Sequence, residues 1–216
     1  MPAPEFEWYF EKFAIAYVRA KIPELRKLPD QEVLVLGRER GLDIHRFKRT
    51  MELARVQKAL GILRGLSPDS LLEIGAGRGA FLWPFMDAFP EVPVTAVDRN
   101  PLHLDYIAAV QAGGCPNLTA FEADTTRLPF GDRSFHTVTM LEVLEHIPDA
   151  ARALSEGIRV ARRFVILSVP SKLDSNPEHV HLLKTDFIDR AAHVAGIERV
   201  NYQSVLNHLI AVLSKP

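Results

Sequence analysis

The spacing of apolar positions changes near residue 67. Before that point apolar residues recur every three or four positions, which is typical of amphipathic helices. One such face contains five aromatic residues, Phe6, Tyr9, Phe10, Phe13 and Tyr17. Pro23 and Pro29 interrupt the pattern, and a further helix is predicted over 45–63. We therefore predict a helical extension over residues 1–66.

From Leu71 onward, short apolar runs alternate with amphipathic stretches. The predicted strands are 71–75, 94–98, 118–123, 136–141 and 164–169, and the predicted helices are 80–89, 102–112, 150–160 and 185–195, the last with Thr185 as its N-cap. This alternation is typical of a parallel sheet with helices on both faces. Two final runs, 200–205 and 209–213, are too close together for a parallel crossover. We predict an α/β fold over residues 67–216: a doubly wound, seven-stranded, mostly parallel sheet with an antiparallel last strand.

The composition narrows the class of protein. A hydrophobic content of 47% and a charged content of 25% are ordinary for a globular chain. The net charge of −1 argues against a nucleic-acid partner. Cys115 is the one cysteine, which excludes an intrachain disulfide and a cysteine-based zinc site. The chain shows no signal-peptide pattern and no apolar run long enough to span a bilayer, so we expect a cytoplasmic protein with no membrane partner.

The most informative segment follows the first predicted strand. Gly75, Gly77 and Gly79 stand at alternate positions between that strand and a predicted helix. Glycine there lets the chain turn sharply and pass close to a bound molecule. The arrangement predicts a site for a nucleotide-like ligand at the N-terminus of the helix.

Glu73 distinguishes between two such ligands. A dinucleotide site has the spacing G-x-G-x-x-G, whereas here the third glycine comes one residue earlier. A carboxylate two residues before the first glycine would repel a pyrophosphate and attract a cation. S-adenosylmethionine carries a sulfonium and an amino group, and it is therefore the predicted cofactor.

Further motifs support this choice, because the chain resembles the class I S-adenosylmethionine-dependent methyltransferases over residues 67–213. Glu73 to Gly79 are similar to the family's first motif, Asp98 ends the second strand and Asp124 follows the third. The resemblance implies that Asp98 receives the ribose hydroxyls and that the Asp124 segment contacts the adenine. The predicted cofactor-binding residues are Glu73, Gly75, Ala76, Gly77, Gly79, Asp98, Arg99, Asp124, Thr125 and Leu141.

The acceptor is expected on the other side of the turn, near the fourth strand. The predicted substrate residues are Glu142, His146, His179 and His181. These residues could shape the pocket wall and anchor a loop, or one histidine could act as a general base. A third reading is a metal site, because Glu142, Glu145 and His146 with a later histidine resemble the ligands of small-RNA 3′-terminal 2′-O-methyltransferases. We assign neither a catalytic residue nor a metal ligand.

The predicted function is methyl transfer from S-adenosylmethionine to a small molecule that the sequence does not identify. The alternatives are an RNA or protein methyltransferase, including metal-assisted RNA 2′-O-methylation, and a non-catalytic protein that binds the cofactor. The N-terminal aromatic residues could form a lid over the acceptor, or cover the core or a dimer interface. The oligomeric state is open.

Overall fold

A seven-stranded sheet runs through the part of the chain that the computed structural model describes, residues 10–49, 53–172, 176–197 and 199–216. The strands are β1 (Leu71–Ile74), β2 (Val94–Asp98), β3 (Leu118–Glu122), β4 (Phe135–Leu141), β5 (Ala161–Pro170), β6 (Arg199–Val205) and β7 (His208–Ser214). Their order is β3-β2-β1-β4-β5-β7-β6. β7 is antiparallel to both of its neighbours, and the other pairs are parallel. The predicted fold class is therefore confirmed.

Helices precede the sheet and connect most of its strands. They are α1 (Glu11–Lys21), α2 (Asp30–Glu39), α3 (Ala54–Leu66), α4 (Leu82–Ala88), α5 (Pro101–Ala112), α6 (Ala150–Val160) and α7 (Thr185–Val194). α4 and α5 follow β1 and β2, whereas α6 connects β4 to β5. Of the helices described, none has both the length and the apolarity that crossing a membrane requires.

Two hydrophobic cores flank the sheet. The first contains α1 to α5, and three of its rings meet where Phe13 and Phe47 each lie 5.3 Å from Trp83 between ring centroids. The second lies under α6 and α7 and includes Leu154 and Ile188. The described N-terminal helices are thus buried in the same core as α4 and α5. Phe6 and Tyr9 lie outside the described residues.

The predicted start of the helix over 45–63 is wrong. A 3₁₀ turn covers Ile44–Phe47, and α3 begins only at Ala54. The Phe47 carbonyl accepts a hydrogen bond from the Phe10 amide at 2.8 Å, so it does not serve a continuous helix. Thr185 is also not an N-cap, because it is already the first helical residue and Lys184 precedes it in extended conformation.

The packing of α1 against α5 leaves no room for a side chain at Gly113, whereas Gly61 in α3 has room for one. We therefore expect opposite effects of replacing these two glycines with alanine. A Cβ at Gly113 would lie 1.8 Å from the Ala16 carbonyl oxygen, so Gly113→Ala should lower the free energy of unfolding by about 1–3 kcal/mol. Gly61 is an exposed residue within α3 with open space around it, so Gly61→Ala should raise the free energy of unfolding by roughly 0.5–1 kcal/mol. Urea denaturation measures both. Equal effects of the two changes would contradict this packing.

Candidate functional site

A cleft of about 1200 Å³ opens at the carboxyl ends of β1 to β4. β1 lies between β2 and β4, and the connections leave these strands on opposite faces of the sheet, which opens a crevice at this point. The glycine turn after β1 forms one part of the lining. The other residues that line it are Val97 to Asn100, His103, Glu122 to Thr125, Glu142, Val143, His146, Ile147 and Glu178.

The glycine turn has a backbone that other residues would not tolerate. Gly75 has φ +72°, and a Cβ there would lie 2.6 Å from the side chain of Val143. Gly79 has φ +82°, and a Cβ there would lie 2.1 Å from Nε1 of Trp83. The turn therefore leaves main chain without side chains facing the cleft.

Asp98 connects the end of β2 to this turn. Its Oδ2 accepts a hydrogen bond from the Gly77 amide at 2.7 Å, and its Oδ1 accepts one from the Asn100 amide at 2.8 Å. His103 in α5 contacts the same carboxylate, with Nδ1 3.3 Å from Oδ2. A carboxylate has about four lone-pair directions, so Asp98 can still accept hydrogen bonds from a ligand.

Glu73 presents a buried carboxyl group behind the turn. The residue is 5% exposed, and its Oε2 has no hydrogen-bond partner among the described residues. Burial raises the pKa of Glu73 well above its usual value, and the nearby negative charge of Asp98 raises it further. A buried oxygen without a partner costs free energy, which a ligand with a cationic or N–H group would recover.

The other predicted cofactor residues fall into two groups. Arg99, Asp124 and Thr125 line the cleft. Asp124 accepts hydrogen bonds from the amide and the hydroxyl of Thr126, which lower the pKa of Asp124. Four predicted residues do not line the cleft, namely Glu73, Ala76, Gly79 and Leu141. Glu73 lies within β1, and Ala76 is buried with its amide bonded to the Val97 carbonyl.

Glu142 directly follows β4 in a strained conformation and contacts residues of β5 and β7. Its φ is +57°, a region that costs a non-glycine residue on the order of 1 kcal/mol. Ser168 Oγ in β5 donates to Oε1 at 2.6 Å, and Nε2 of His208 in β7 lies 3.0 Å from Oε2. Ser168 and His208 are absent from the sequence-based set.

The predicted histidines separate into two places. The rings of His146 and His179 are 4.7 Å apart, and their nitrogens and a carboxylate oxygen of buried Glu145 lie within 4.8 Å of one another. Two imidazoles and a carboxylate suit a divalent transition metal. His181 instead donates to the carbonyls of Ile147 and Pro148, at 3.1 and 3.0 Å, and anchors the loop. Glu142 and His181 are not part of the three-residue cluster.

Sequence reasoning missed several residues that line the cleft. They are Val97, Asn100, His103, Glu122, Ala123, Val143, Ile147 and Glu178. His103 could have been found, because it occupies the first turn of a helix that starts at the carboxyl end of β2. Glu178 gave no such signal, since it reaches the cleft through a loop outside the regular elements.

Comparison with known proteins finds methyltransferases that are similar to part of this chain. Residues 71–163 match the family model of a methyltransferase domain. The demethylmenaquinone methyltransferase of Deinococcus radiodurans is 32% identical over 108 residues, which are 48% of this chain and 44% of that protein. The 27-O-demethylrifamycin SV methyltransferase of Amycolatopsis mediterranei is 32% identical over 130 residues, 56% of this chain and 47% of that protein. The aligned part thus spans less than half the length of these relatives.

The solved structures agree with the fold. Magnesium protoporphyrin IX methyltransferase from Synechocystis PCC 6803, solved with bound S-adenosylhomocysteine, has a TM-score of 0.59 at 20% identity and covers 75% of this chain and 82% of its own. Residues 71–163 thus match a methyltransferase domain, and the likeness to this solved structure is one of fold. The S-adenosylhomocysteine bound to the Synechocystis protein is the demethylated form of the cofactor predicted from the sequence.

The raised pKa of Glu73 predicts a pH-dependent penalty on folding. An unfolded glutamate loses its proton near pH 4.3, whereas the folded chain keeps it on Glu73 to a higher pH. The unfolded state therefore binds fewer protons in that window, so the contribution of Glu73 falls as pH rises, by at most about 1.4 kcal/mol per pH unit. Glu73→Gln should remove this slope from the ligand-free protein.

The measurement is urea unfolding of wild type and Glu73→Gln from pH 4.5 to pH 7.5. The stability of the variant relative to wild type should rise across this range. Titrations of other groups cancel in the difference. A difference that stays constant or falls with pH would show that Glu73 is ionised and stabilising in the folded protein.

Proposed function

We propose that this protein transfers a methyl group from S-adenosylmethionine to a small-molecule acceptor. The observation that carries the proposal is the hydrogen bond of the Gly77 amide to Asp98 beside the buried Oε2 of Glu73, which has no partner among the residues that the structure describes. Such a site combines an acceptor of ribose hydroxyls with a carboxyl group suited to a cationic or amino group. A pyrophosphate would face the negative charge of Asp98, which is unfavourable.

The proposed cofactor site extends along the cleft from β3 to β1. Asp98 would accept the ribose hydroxyls, and the segment with Asp124 and Thr125 would border the adenine. The main chain of Gly75 and Gly77 would lie along the amino-acid part, with Glu73 behind it. Arg99, Ala76, Gly79 and Leu141 complete the proposed set, the last three by shaping the backbone around the cleft.

When bound, S-adenosylmethionine supplies a methyl group that an acceptor lone pair attacks, while the electrons of the broken carbon–sulfur bond remain on sulfur. The chain's contribution is to align the acceptor and to exclude water, which can supply roughly 7–11 kcal/mol of the barrier reduction. Glu142 and His146 stand at the β4 side of the cleft for this purpose. His179 and His181 belong to the loop that borders it.

A small-molecule acceptor is supported by the relatives and by the net charge of the chain. The two relatives described above are named as methyltransferases of demethylmenaquinone and of a rifamycin. The chain's net charge is −1, which gives no general attraction for nucleic acid. We assign the site to residues 67–216 and regard residues 1–66 as a helical extension, of which Phe10, Phe13 and Tyr17 cover the core.

Isothermal titration calorimetry with S-adenosylmethionine and with NAD⁺ tests the proposal. We expect one equivalent of S-adenosylmethionine to bind and NAD⁺ not to bind. Asp98→Ala should weaken that binding about 10- to 100-fold, because two hydrogen bonds to a charged group are lost. Asp105→Ala is the control, since Asp105 forms an exposed ion pair with Lys21 outside the cleft. Binding of NAD⁺ in place of S-adenosylmethionine would overturn the proposal.

A second candidate is metal-assisted methylation, such as 2′-O-methylation of RNA. The cluster of Glu145, His146 and His179 favours it, because its donor atoms are close enough to share one ion. In this candidate these three residues would hold a divalent cation beside the β4 end of the cleft. The cation would supply Lewis-acid activation of an acceptor hydroxyl.

Calorimetry with Zn²⁺ and Mn²⁺ distinguishes the two candidates. Metal-assisted methylation predicts one bound equivalent that is lost in His179→Ala and retained in His193→Ala, an exposed histidine of α7. The leading proposal predicts no specific binding at the cluster, and equal weak binding by both variants would support it.

A further inference from the structure

The carboxylate of Glu142 is fixed by the fold at the acceptor side of the cleft. Two hydrogen bonds to Ser168 in β5 and a close contact with His208 in β7 hold the residue. Its amide donates to the Ser168 carbonyl at 3.0 Å, and its two carboxylate oxygens receive Ser168 Oγ at 2.6 Å and His208 Nε2 at 3.0 Å. A surface glutamate would rotate freely, whereas this one is held in one orientation by polar contacts to both oxygens.

The antiparallel last strand makes this arrangement possible. β7 runs against β5, and its first residue, His208, pairs with Pro170 at the carboxyl end of β5. A residue at the start of β7 therefore reaches the same edge of the sheet as the ends of β1 to β4. A parallel last strand would present its first residue at the opposite edge, away from the cleft.

The hydrogen bond from Ser168 and the contact with His208 leave acceptor capacity on Glu142. An ionised carboxylate offers about four lone-pair directions, of which these two donors occupy two. Glu142 lines the cleft and its side chain is 20% exposed, so part of the carboxylate is open to a ligand. The remaining lone pairs can accept hydrogen bonds but cannot donate them.

The charges around Glu142 also favour a ligand group that donates a hydrogen bond. The described lining contains the carboxylates of Asp98, Glu122, Asp124, Glu142 and Glu178, against Arg99 as its single arginine or lysine. Arg99 follows β2, on the opposite side of the cleft from the end of β4. A phosphate or carboxylate at the β4 side would meet negative charge, whereas an O–H or N–H group would be attracted.

We propose that Glu142 is the group that binds the methyl acceptor through an O–H or N–H, that Ser168 and His208 are its positioning residues, and that anionic acceptor groups are excluded there. This proposal rests on the proposed function, because it takes the cofactor to lie in the same cleft. Glu142 is then the acceptor-side counterpart of Asp98 on the cofactor side.

A binding experiment tests the proposal without knowledge of the acceptor. S-adenosylhomocysteine has a neutral sulfur at the reacting position, whereas its analogue sinefungin carries a protonated amine in place of the transferred methyl group. If Glu142 faces that position, Glu142→Gln should weaken sinefungin about tenfold and S-adenosylhomocysteine less than about twofold. Calorimetry measures both dissociation constants, and their ratio cancels general effects on the cleft.

A matched variant distinguishes a direct contact of Glu142 with the ligand from the effect of the total negative charge of the cleft. Glu122→Gln removes a carboxylate that lines the cleft beside β3, and it should leave the ratio of the two dissociation constants within about twofold of wild type. An equal change in Glu122→Gln and Glu142→Gln would show that the preference for sinefungin is only a matter of total charge, which would contradict the proposal.

The positioning role of His208 is tested by rescue. His208→Ala should shift the ratio in the same direction as Glu142→Gln but by a smaller factor, about threefold, because Ser168 still holds the other oxygen. His208→Gln keeps an N–H donor and should restore the ratio. A purely structural role would instead lower the unfolding midpoint and weaken both ligands equally, without rescue by glutamine.

The outcomes distinguish this proposal from the proposed function. If S-adenosylhomocysteine fails to bind wild type, the proposed function fails. If it binds wild type and Glu142→Gln alike, but sinefungin is not selectively weakened by the change, the proposed function stands and the role of Glu142 is refuted. Selective weakening of sinefungin by Glu142→Gln, with rescue at residue 208 by glutamine, supports the proposal.

Discussion

The hydrogen bond from the Gly77 amide to the Asp98 carboxylate is the contact on which the cleft depends. It joins the turn after β1 to the end of β2, two segments that parallel pairing already brings side by side. The same carboxylate accepts the Asn100 amide, which sets the start of α5. The Asp98 side chain therefore positions both turns, and its remaining lone pairs can still accept hydrogen bonds from a ligand. The absence of side chains at Gly75 and Gly77 then lets that ligand approach the main chain.

Two features of the cleft oppose folding, and the two hydrophobic cores offset their cost in free energy. Glu73 is buried with an oxygen that finds no hydrogen-bond partner in the described part of the chain, and Glu142 holds a left-handed conformation; each feature opposes folding. Sites that bind ligands commonly retain such unfavourable features. The two hydrophobic cores that cover the sheet stabilise the fold. On one of these faces the N-terminal helices add Phe13 and Phe47 around Trp83.

Much of the fold could be predicted from the sequence, because its strands are short apolar runs that parallel pairing buries. The residues at the ends of these strands, Asp98 and Glu142 among them, could then be assigned to one edge of the sheet. Periodicity placed the start of the helix over 45–63 too early, because it carries no information on the long-range hydrogen bond between Phe10 and Phe47. Ser168 and His208 were missed for a related reason: their contact with Glu142 depends on the registers of β5 with β4 and β7.

The central claim is that one continuous site runs from Asp98 across the glycine turn to Glu142. A crystal structure with bound S-adenosylhomocysteine tests it most directly. The account predicts that the ribose hydroxyls lie within hydrogen-bond distance of Asp98 and that the sulfur faces the side of the cleft formed by Glu142. A ligand whose ribose contacts neither oxygen of Asp98, or whose sulfur points toward β3, would contradict it.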